Sequence, residues 1–263
     1  MSALIGFIIN LQFFTAIPIK REFPMDNKYL HRSIQTFPLV GLLFGTLMSG
    51  TLYLLIEWTP FSTGAIAFMI WLLTIGLTGG LHLDGWIDAS DAFFSYRDKQ
   101  KRLEIMKDPQ TGAFGVLSVI VLLAARYLFI YEIVEKSMPY TYGLILVIPF
   151  ISKIVMGVVL CRFPLAKQEG LGAYFQKASR KNSTRVYWVY AAAGLMAAYL
   201  ISPALLWQFV WMATAAYLSF LFIRKKTIQW FGGITGDVLG ASVEGVELSL
   251  WFTVWILHYF VMG

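Results

Sequence analysis

Only one cysteine, Cys161, stands in the 263 residues, so neither an intramolecular disulfide framework nor a thiolate-rich metal site can form. Charge is also scarce: Asp, Glu, Lys and Arg make up 14% of the chain, against about 25% in an ordinary soluble domain. The sequence contains no phosphate-binding Gly-Lys-Ser/Thr loop, which argues against a P-loop nucleotide fold. Ten-residue stretches of alternating polarity are missing too, and a membrane β-barrel needs them. In their place are 58% hydrophobic and 16% aromatic residues, with a mean hydropathy of +0.66. Soluble, disordered, collagen-like and disulfide-stapled classes all fit this composition poorly. A polytopic, all-α membrane protein fits it well.

A helix crosses the hydrocarbon core with about 20 apolar residues. Runs near that length occur at Ile34–Leu55, Ser62–Leu81, Ala113–Val134, Tyr140–Leu160, Val186–Ile201 and Ala204–Ile223, with a shorter one at Leu248–Val261. The expected architecture is one integral membrane domain over residues 1–263, a bundle of about seven spans, six to eight in all. Leu4–Ile17 is interrupted by Asn10 and Gln12 and reads as an interfacial helix, or one tucked against the bundle.

A net charge of +6 at pH 7 is a common mark of nucleic-acid binding, but the positions of the basic residues argue otherwise. Eighteen of the 21 Lys and Arg fall on alternating connections, at about 19–33, 82–112, 161–185 and 224–247 or their edges. By the positive-inside rule these loops face the cytoplasm, across an inner membrane in a multi-pass protein. The basic charge is then a topology signal, and nucleic acid is not an expected partner. Carboxylates gather on the same side, from Asp84 to Asp108 and from Asp237 to Glu247, and orientation does not require them. A divalent cation would give them a reason.

Asp84, Asp88 and Asp91 follow Gly79-Gly80 at the end of an apolar run, spaced i, i+4 and i+7. On a helix they share a face, where three unpaired carboxylates repel one another. Mg²⁺ would relieve that conflict, since it takes carboxylate oxygens and bridges them to phosphates. The alternative is a solvated acidic helix end paired with Arg97 or Lys99. Asp237 and Glu244, again seven apart, follow Gly232-Gly233, with Glu247 next. Both segments read Gly-Gly-x-x-x-Asp with a carboxylate seven residues on, either by chance or as the trace of a duplication. Glu104 and Asp108 form a further i, i+4 pair, equally readable as an ordinary loop helix.

Three other ionisable groups need partners. His82 is a base or phosphate donor, or a histidine packed for structure. Arg126 and Lys153 lie inside apolar runs, where such groups are costly. Arg126 is expected to face a cavity or pair with a carboxylate such as Glu132, and Lys153 to do the same or snorkel. His258 reads as structural. Clustered carboxylates with basic groups beside them suggest metal-assisted phosphoryl transfer, with a carboxylate or His taking a hydroxyl proton.

Five segments in order carry a resemblance: Leu11–Pro18, Phe37–Gly41, Gly80–Gly85, Glu104–Asp108 with Gly112, and Gly236–Ala241. Together they resemble the cobalamin synthase family, adenosylcobinamide-GDP ribazoletransferase, over almost the whole chain. The resemblance implies a Mg²⁺-requiring membrane enzyme that joins adenosylcobinamide-GDP to α-ribazole, or α-ribazole 5′-phosphate, and releases GMP. Carried over by position, Asp84, Asp88 and Asp91 would hold Mg²⁺ against the pyrophosphate. Asp237, Glu244 and Glu247 would complete the metal site, and Asp84, His82, Glu244 and Asp237 are the catalytic candidates. Glu104 and Asp108, with Arg97, Arg102, Lys107 and Arg162, are the candidates for binding substrate. The family's aspartate segment usually continues Asp-Gly where this chain has Asp91-Ala92, which weakens any claim of close backbone approach there.

Two rivals differ in pattern. A CDP-alcohol phosphotransferase shares the chemistry, but its Asp-Gly-x-x-Ala-Arg motif is not matched. A cation transporter would place its charged groups near the bilayer midplane. The sequence sets no oligomeric state.

Overall fold

The computed structural model describes residues 2–261, which form eleven α-helices and no β-strand. In chain order these are α1 (Ser2–Phe14), α2 (Asn27–Trp58), α3 (Thr63–Thr78), α4 (Leu81–Phe94), α5 (Lys99–Ile105), α6 (Ala113–Glu135), α7 (Thr141–Arg162), α8 (Leu171–Ala178), α9 (Arg185–Ile201), α10 (Pro203–Phe231) and α11 (Gly236–Phe260). Their starts follow capping chemistry. The Asp26 carboxylate accepts from the amides of Lys28 and Tyr29 at α2, and the Ser62 hydroxyl accepts from Ala65 at α3. Pro203 opens α10 behind Ser202, a position where its missing N–H costs nothing.

Four helices, α2, α6, α7 and α10, are long and apolar enough to cross a membrane, and a fifth span arises if α3 and α4 count together. The runs expected at 62–81, 186–201 and 248–261 are present as helix but differ from simple spans. α3 is only 16 residues and breaks into α4 through an 85° bend. The bend sits on Gly79 and Gly80, both left-handed (φ 63° and 79°), a region open to glycine at no steric cost. α9 has 17 residues, and α11 reaches 25 but carries Asp237, Glu244 and Glu247 along its first half.

The N-terminal run is a helix tucked against the bundle. The polar residue that interrupts it, Asn10, is buried and donates to the Ser33 carbonyl (2.8 Å) and to Thr36 Oγ1 (3.0 Å) of α2. α2 packs in turn along α7. Gly41 and Gly45 face the Pro149 and Leu146 carbonyls so closely that a Cβ at either would collide with backbone. Without side chains at these two positions the helices reach van der Waals contact, the main source of cohesion between helices in lipid.

Connections at one end of the bundle are tied to each other. Ala16 N–H donates to Leu77 O (3.1 Å), Tyr174 OH to Met25 O (2.8 Å) and Lys167 Nζ to Leu103 O (2.7 Å). Loops 163–166 and 232–235 meet in a short parallel bridge between Leu165 and Ile234. These are the basic connections, so the charge pattern and the three-dimensional grouping agree. At the opposite end, Tyr259 OH donates to Glu132, Lys136 lies over the Tyr259 ring, and His258 Nε2 meets Thr141 Oγ1 at 2.7 Å. His258 is thus a packed, structural histidine.

Gly45→Val is expected to destabilise the protein by about 1–3 kcal/mol through overpacking against α7. Gly50→Ala, where a Cβ meets nothing within 4 Å, should leave stability unchanged or slightly raised. Unfolding midpoints of the two variants in the same detergent check the contrast.

Candidate functional site

The site is built from two helix beginnings. α4 starts immediately after the Gly79-Gly80 bend with no side-chain cap, and Asp84 stands in its first turn. α11 starts behind Thr235, whose hydroxyl accepts from the Val238 amide (3.1 Å) and donates to Asp237 Oδ2 (3.3 Å). Asp237 is in the first turn of α11. The helices cross at Gly85, where a Cβ would lie 2.7 Å from the Asp237 carbonyl oxygen. Close by, Gly240 packs against His82, its Cβ position 3.3 Å from the His82 backbone. The two Gly-Gly-x-x-x-Asp segments therefore meet face to face.

Between them opens a cavity of about 440 Å³, lined among others by His82, Asp84, Lys107, Lys167, Glu169 and Asp237. Its apolar wall is an aromatic cluster in which Phe14 meets Phe37 (5.4 Å between centroids) and Phe175 (5.6 Å) edge to face. Lys167 is brought in by the Leu165–Ile234 bridge. Partial burial and the neighbouring Lys107 ammonium push Lys167 below the usual lysine range, and Asp237 pulls it back. Helix N-termini favour anions, and two lysines strengthen that preference. The cavity thus sets three carboxylates, Asp84, Glu169 and Asp237, against a field suited to phosphate.

Residues 81–94 form the helix that the aspartate spacing predicts, and Asp84 is exposed while Asp88 is half-buried. The charges of Asp84, Asp91 and Asp237 all act on Asp88, so the four carboxylates do share one neighbourhood. Asp91, however, is engaged structurally: its oxygens accept from the Gly112 and Gly115 amides, both at 2.7 Å, at the start of α6. The glycines leave room for it, since a Cβ at either would strike the carboxylate. Ala92, where a glycine was expected from the resemblance, is fully buried and needs no close backbone approach.

Glu244 lies away from the cavity lining, in a buried ion pair with Arg126 Nη2, and Arg126 Nη1 reaches Thr74 Oγ1 at 3.5 Å. Arg126 thus pairs with a carboxylate as expected, but with Glu244 on α11 and not with Glu132. Glu247 accepts from Ser152 Oγ (2.8 Å). Lys153 is buried rather than snorkelling, with Nζ 2.6 Å from His82 Nε2 and both glutamate charges nearby. An ammonium can only donate, so Nε2 is the acceptor in this pair and its lone pair is occupied. The +7 carboxylates, Asp91 and Glu244, both bind α6, while the first aspartates of each segment face the cavity.

The candidates for substrate contact divide. Lys107 lines the cavity. Glu104 is exposed and bridges to Lys101 (2.9 Å), and Asp108 accepts from the Gln110 amide (3.0 Å) in a turn. Arg102 lies over the Phe93 ring and donates to the Trp230 carbonyl (3.3 Å), while Arg97 and Arg162 are exposed. Lys167 and Thr235 belong to the cavity although spacing gave no signal for them. Their place depends on a loop pairing that no local motif encodes.

Among the described residues no three His, Cys, Asp or Glu side chains are grouped so as to hold a metal by themselves. This does not conflict with Mg²⁺, which usually takes one or two carboxylates and fills its shell with water and substrate phosphate. Asp84 and Asp237, hard oxygen donors on one cavity wall, fit such a partial site. Asp91 and Glu244 have their oxygens committed to α6.

Arg126→Met alone should cost about 3–5 kcal/mol, because it strands the Glu244 charge in an apolar interior. Adding Glu244→Leu should restore most of the loss. Unfolding of the single and double variants in detergent measures the difference.

With this geometry in place, comparison with known proteins is informative. The cobalamin-5-phosphate synthase family model matches residues 6–255. An adenosylcobinamide-GDP ribazoletransferase of Geobacillus sp. (strain WCH70) is 38% identical over 98% of this chain and 97% of its own length. The protein of that name from Geobacillus thermodenitrificans (strain NG80-2) is 39% identical over 98% of both chains. One from Halalkalibacterium halodurans is 36% identical over 95% of both. No solved structure matches. A full-length family match and relatives at this identity place the chain, a helical membrane protein with paired aspartates at one end, in the cobalamin-5-phosphate synthase family of enzymes.

Proposed function

We propose that the cavity between α4 and α11 joins adenosylcobinamide-GDP to α-ribazole, or to α-ribazole 5′-phosphate, and releases GMP. The observation that carries this reading is the placing of Asp84 and Asp237, each in the first turn of its helix, in one cavity with Lys107 and Lys167. The name shared by the relatives supplies the substrates.

The ribose hydroxyl of the α-ribazole attacks the phosphorus linked to cobinamide. A P–O bond to the incoming ribose forms as the bond to GMP breaks. Asp84 or Asp237, both carboxylates at the cavity wall, takes the hydroxyl proton. Lys107 and Lys167 hold the negative oxygens of the diphosphate, and the uncapped start of α4 adds backbone amides to the same task. Asp84 and Asp237 are the residues to hold Mg²⁺, with Asp88 behind them, and the ion when bound supplies charge neutralisation at the diphosphate. His82 positions the start of α4 through Lys153. In this reading Arg126–Glu244 and Asp91 hold α11 and α4 to α6. The positive-inside rule, applied to the basic loops, supports a cavity that faces the cytoplasm across the inner membrane.

Purified protein in liposomes, given adenosylcobinamide-GDP, α-ribazole and Mg²⁺, should form cobamide and GMP, and EDTA should abolish both. Asp84→Ala and Asp237→Ala should each lower kcat about 100-fold or more with the unfolding midpoint retained. Lys107→Ala should mainly raise KM, by about tenfold, the value of a charged hydrogen bond. Absence of product from folded protein would overturn the reading and direct the assay to CDP-alcohol substrates.

A further inference from the structure

A second and larger hollow lies behind α4, on the side away from Asp84. It measures about 850 Å³ and is lined by α4, α6, α10 and α11. α11 forms its floor from Val238 to Ser249, a length of about 16 Å at 1.5 Å per residue. Its two outer walls, α6 and α10, are candidate spans that bury little of themselves in the protein: 22% and 17% of their apolar windows, against 72% for α7. Leu117, Val121, Leu218 and Phe222 line the hollow from these two walls, and all four are exposed. An apolar surface of this kind on a membrane helix has hydrocarbon as its solvent.

The mouth of the hollow at the basic end is not apolar. Lys226 lines it, held over the Trp230 ring (4.9 Å) and the Phe222 ring (5.8 Å), with Arg224 and Lys225 adjacent in sequence. Among the described residues no acidic side chain lines the hollow. Trp86, on its α4 wall, has a buried indole N–H with no partner among the described residues. An apolar trench running into the membrane with a cation at its interfacial end matches one kind of molecule.

We infer that this hollow is a binding site for a single anionic phospholipid of the leaflet on the basic side, with an acyl chain along α11 and the phosphate at Lys226. Such a lipid completes the packing between α6 and α10. It rests against Trp86, Ala89 and Phe93, the back of the helix whose other side carries Asp84. The inference does not depend on the reaction assigned to the cavity.

The test is native mass spectrometry of the full-length protein in mild detergent, supplied with equal amounts of phosphatidylglycerol and phosphatidylcholine. One retained phosphatidylglycerol per chain is expected. Lys226→Gln should reduce the preference for phosphatidylglycerol about fivefold, the share of one interfacial lysine. Leu117→Trp, a change at an exposed wall position, should displace both lipids by filling the trench. An unaltered lipid pattern in both variants would overturn the inference. So would an equal loss of preference in Arg224→Gln, which would reduce the effect to general surface charge. Release of the retained lipid by a benzimidazole riboside would overturn it as well, and would give the hollow to a substrate.

Discussion

Gly85 packs against the backbone of Asp237 with no room for a Cβ, and the polar end of the bundle depends on that contact. It lets α4 and α11 approach until the first turns of both open on one cavity. Separate them by the width of a methyl group and Asp84 and Asp237 no longer line the same wall. The contact also carries α6 with it. Asp91 on α4 holds the first amides of α6, and Glu244 on α11 holds Arg126 further along the same helix. The three helices form a closed triangle in which each side is fixed by a different kind of interaction: close packing, capping and an ion pair.

The distribution of charges follows from dielectric constraints. Inside the bundle an ionisable group persists only with a partner, and Arg126, Glu244, Glu247, Lys153 and His82 all have one. At the basic end, where water supplies the solvation, Asp84 is exposed and Asp237 accepts from the Thr235 hydroxyl beside it. The groups left available for chemistry are those the bundle did not need for its own cohesion. Carboxylates that repel one another around Asp88 are tolerable there because the cavity also holds Lys107 and Lys167.

Much of this was readable in the sequence, for identifiable reasons. Apolar runs near bilayer length gave the helices, and an i, i+4, i+7 spacing placed three aspartates on one helix. Lys and Arg inside those runs announced that partners must exist. Which partners could not be read: Glu244 is 118 residues from Arg126, while Glu132 is close in sequence and was the natural expectation. Likewise the donors that occupy Asp91 lie 21 and 24 residues away. Gly79-Gly80 marked the end of an apolar run, but not the 85° bend that it makes between α3 and α4. Sequence spacing shows which groups need satisfaction, and only the tertiary contacts show what satisfies them.

The same logic bears on why polar chemistry sits on a hydrophobic bundle. Two helix N-termini aimed at one point repel, since each carries partial positive charge. In a small soluble domain that repulsion and the exposed first-turn amides would loosen the ends. Here α11 continues from Asp237 into an interior fixed by Trp251, Leu250 and Val254, all fully buried, and α4 is anchored to α6 and α7 by Asp91 and His82. The ends are held by contacts remote from the cavity, so their positive field is available to an anion instead of being relieved by movement. Rigid apolar packing below the interface and an unrelieved electrostatic field above it are two parts of one arrangement.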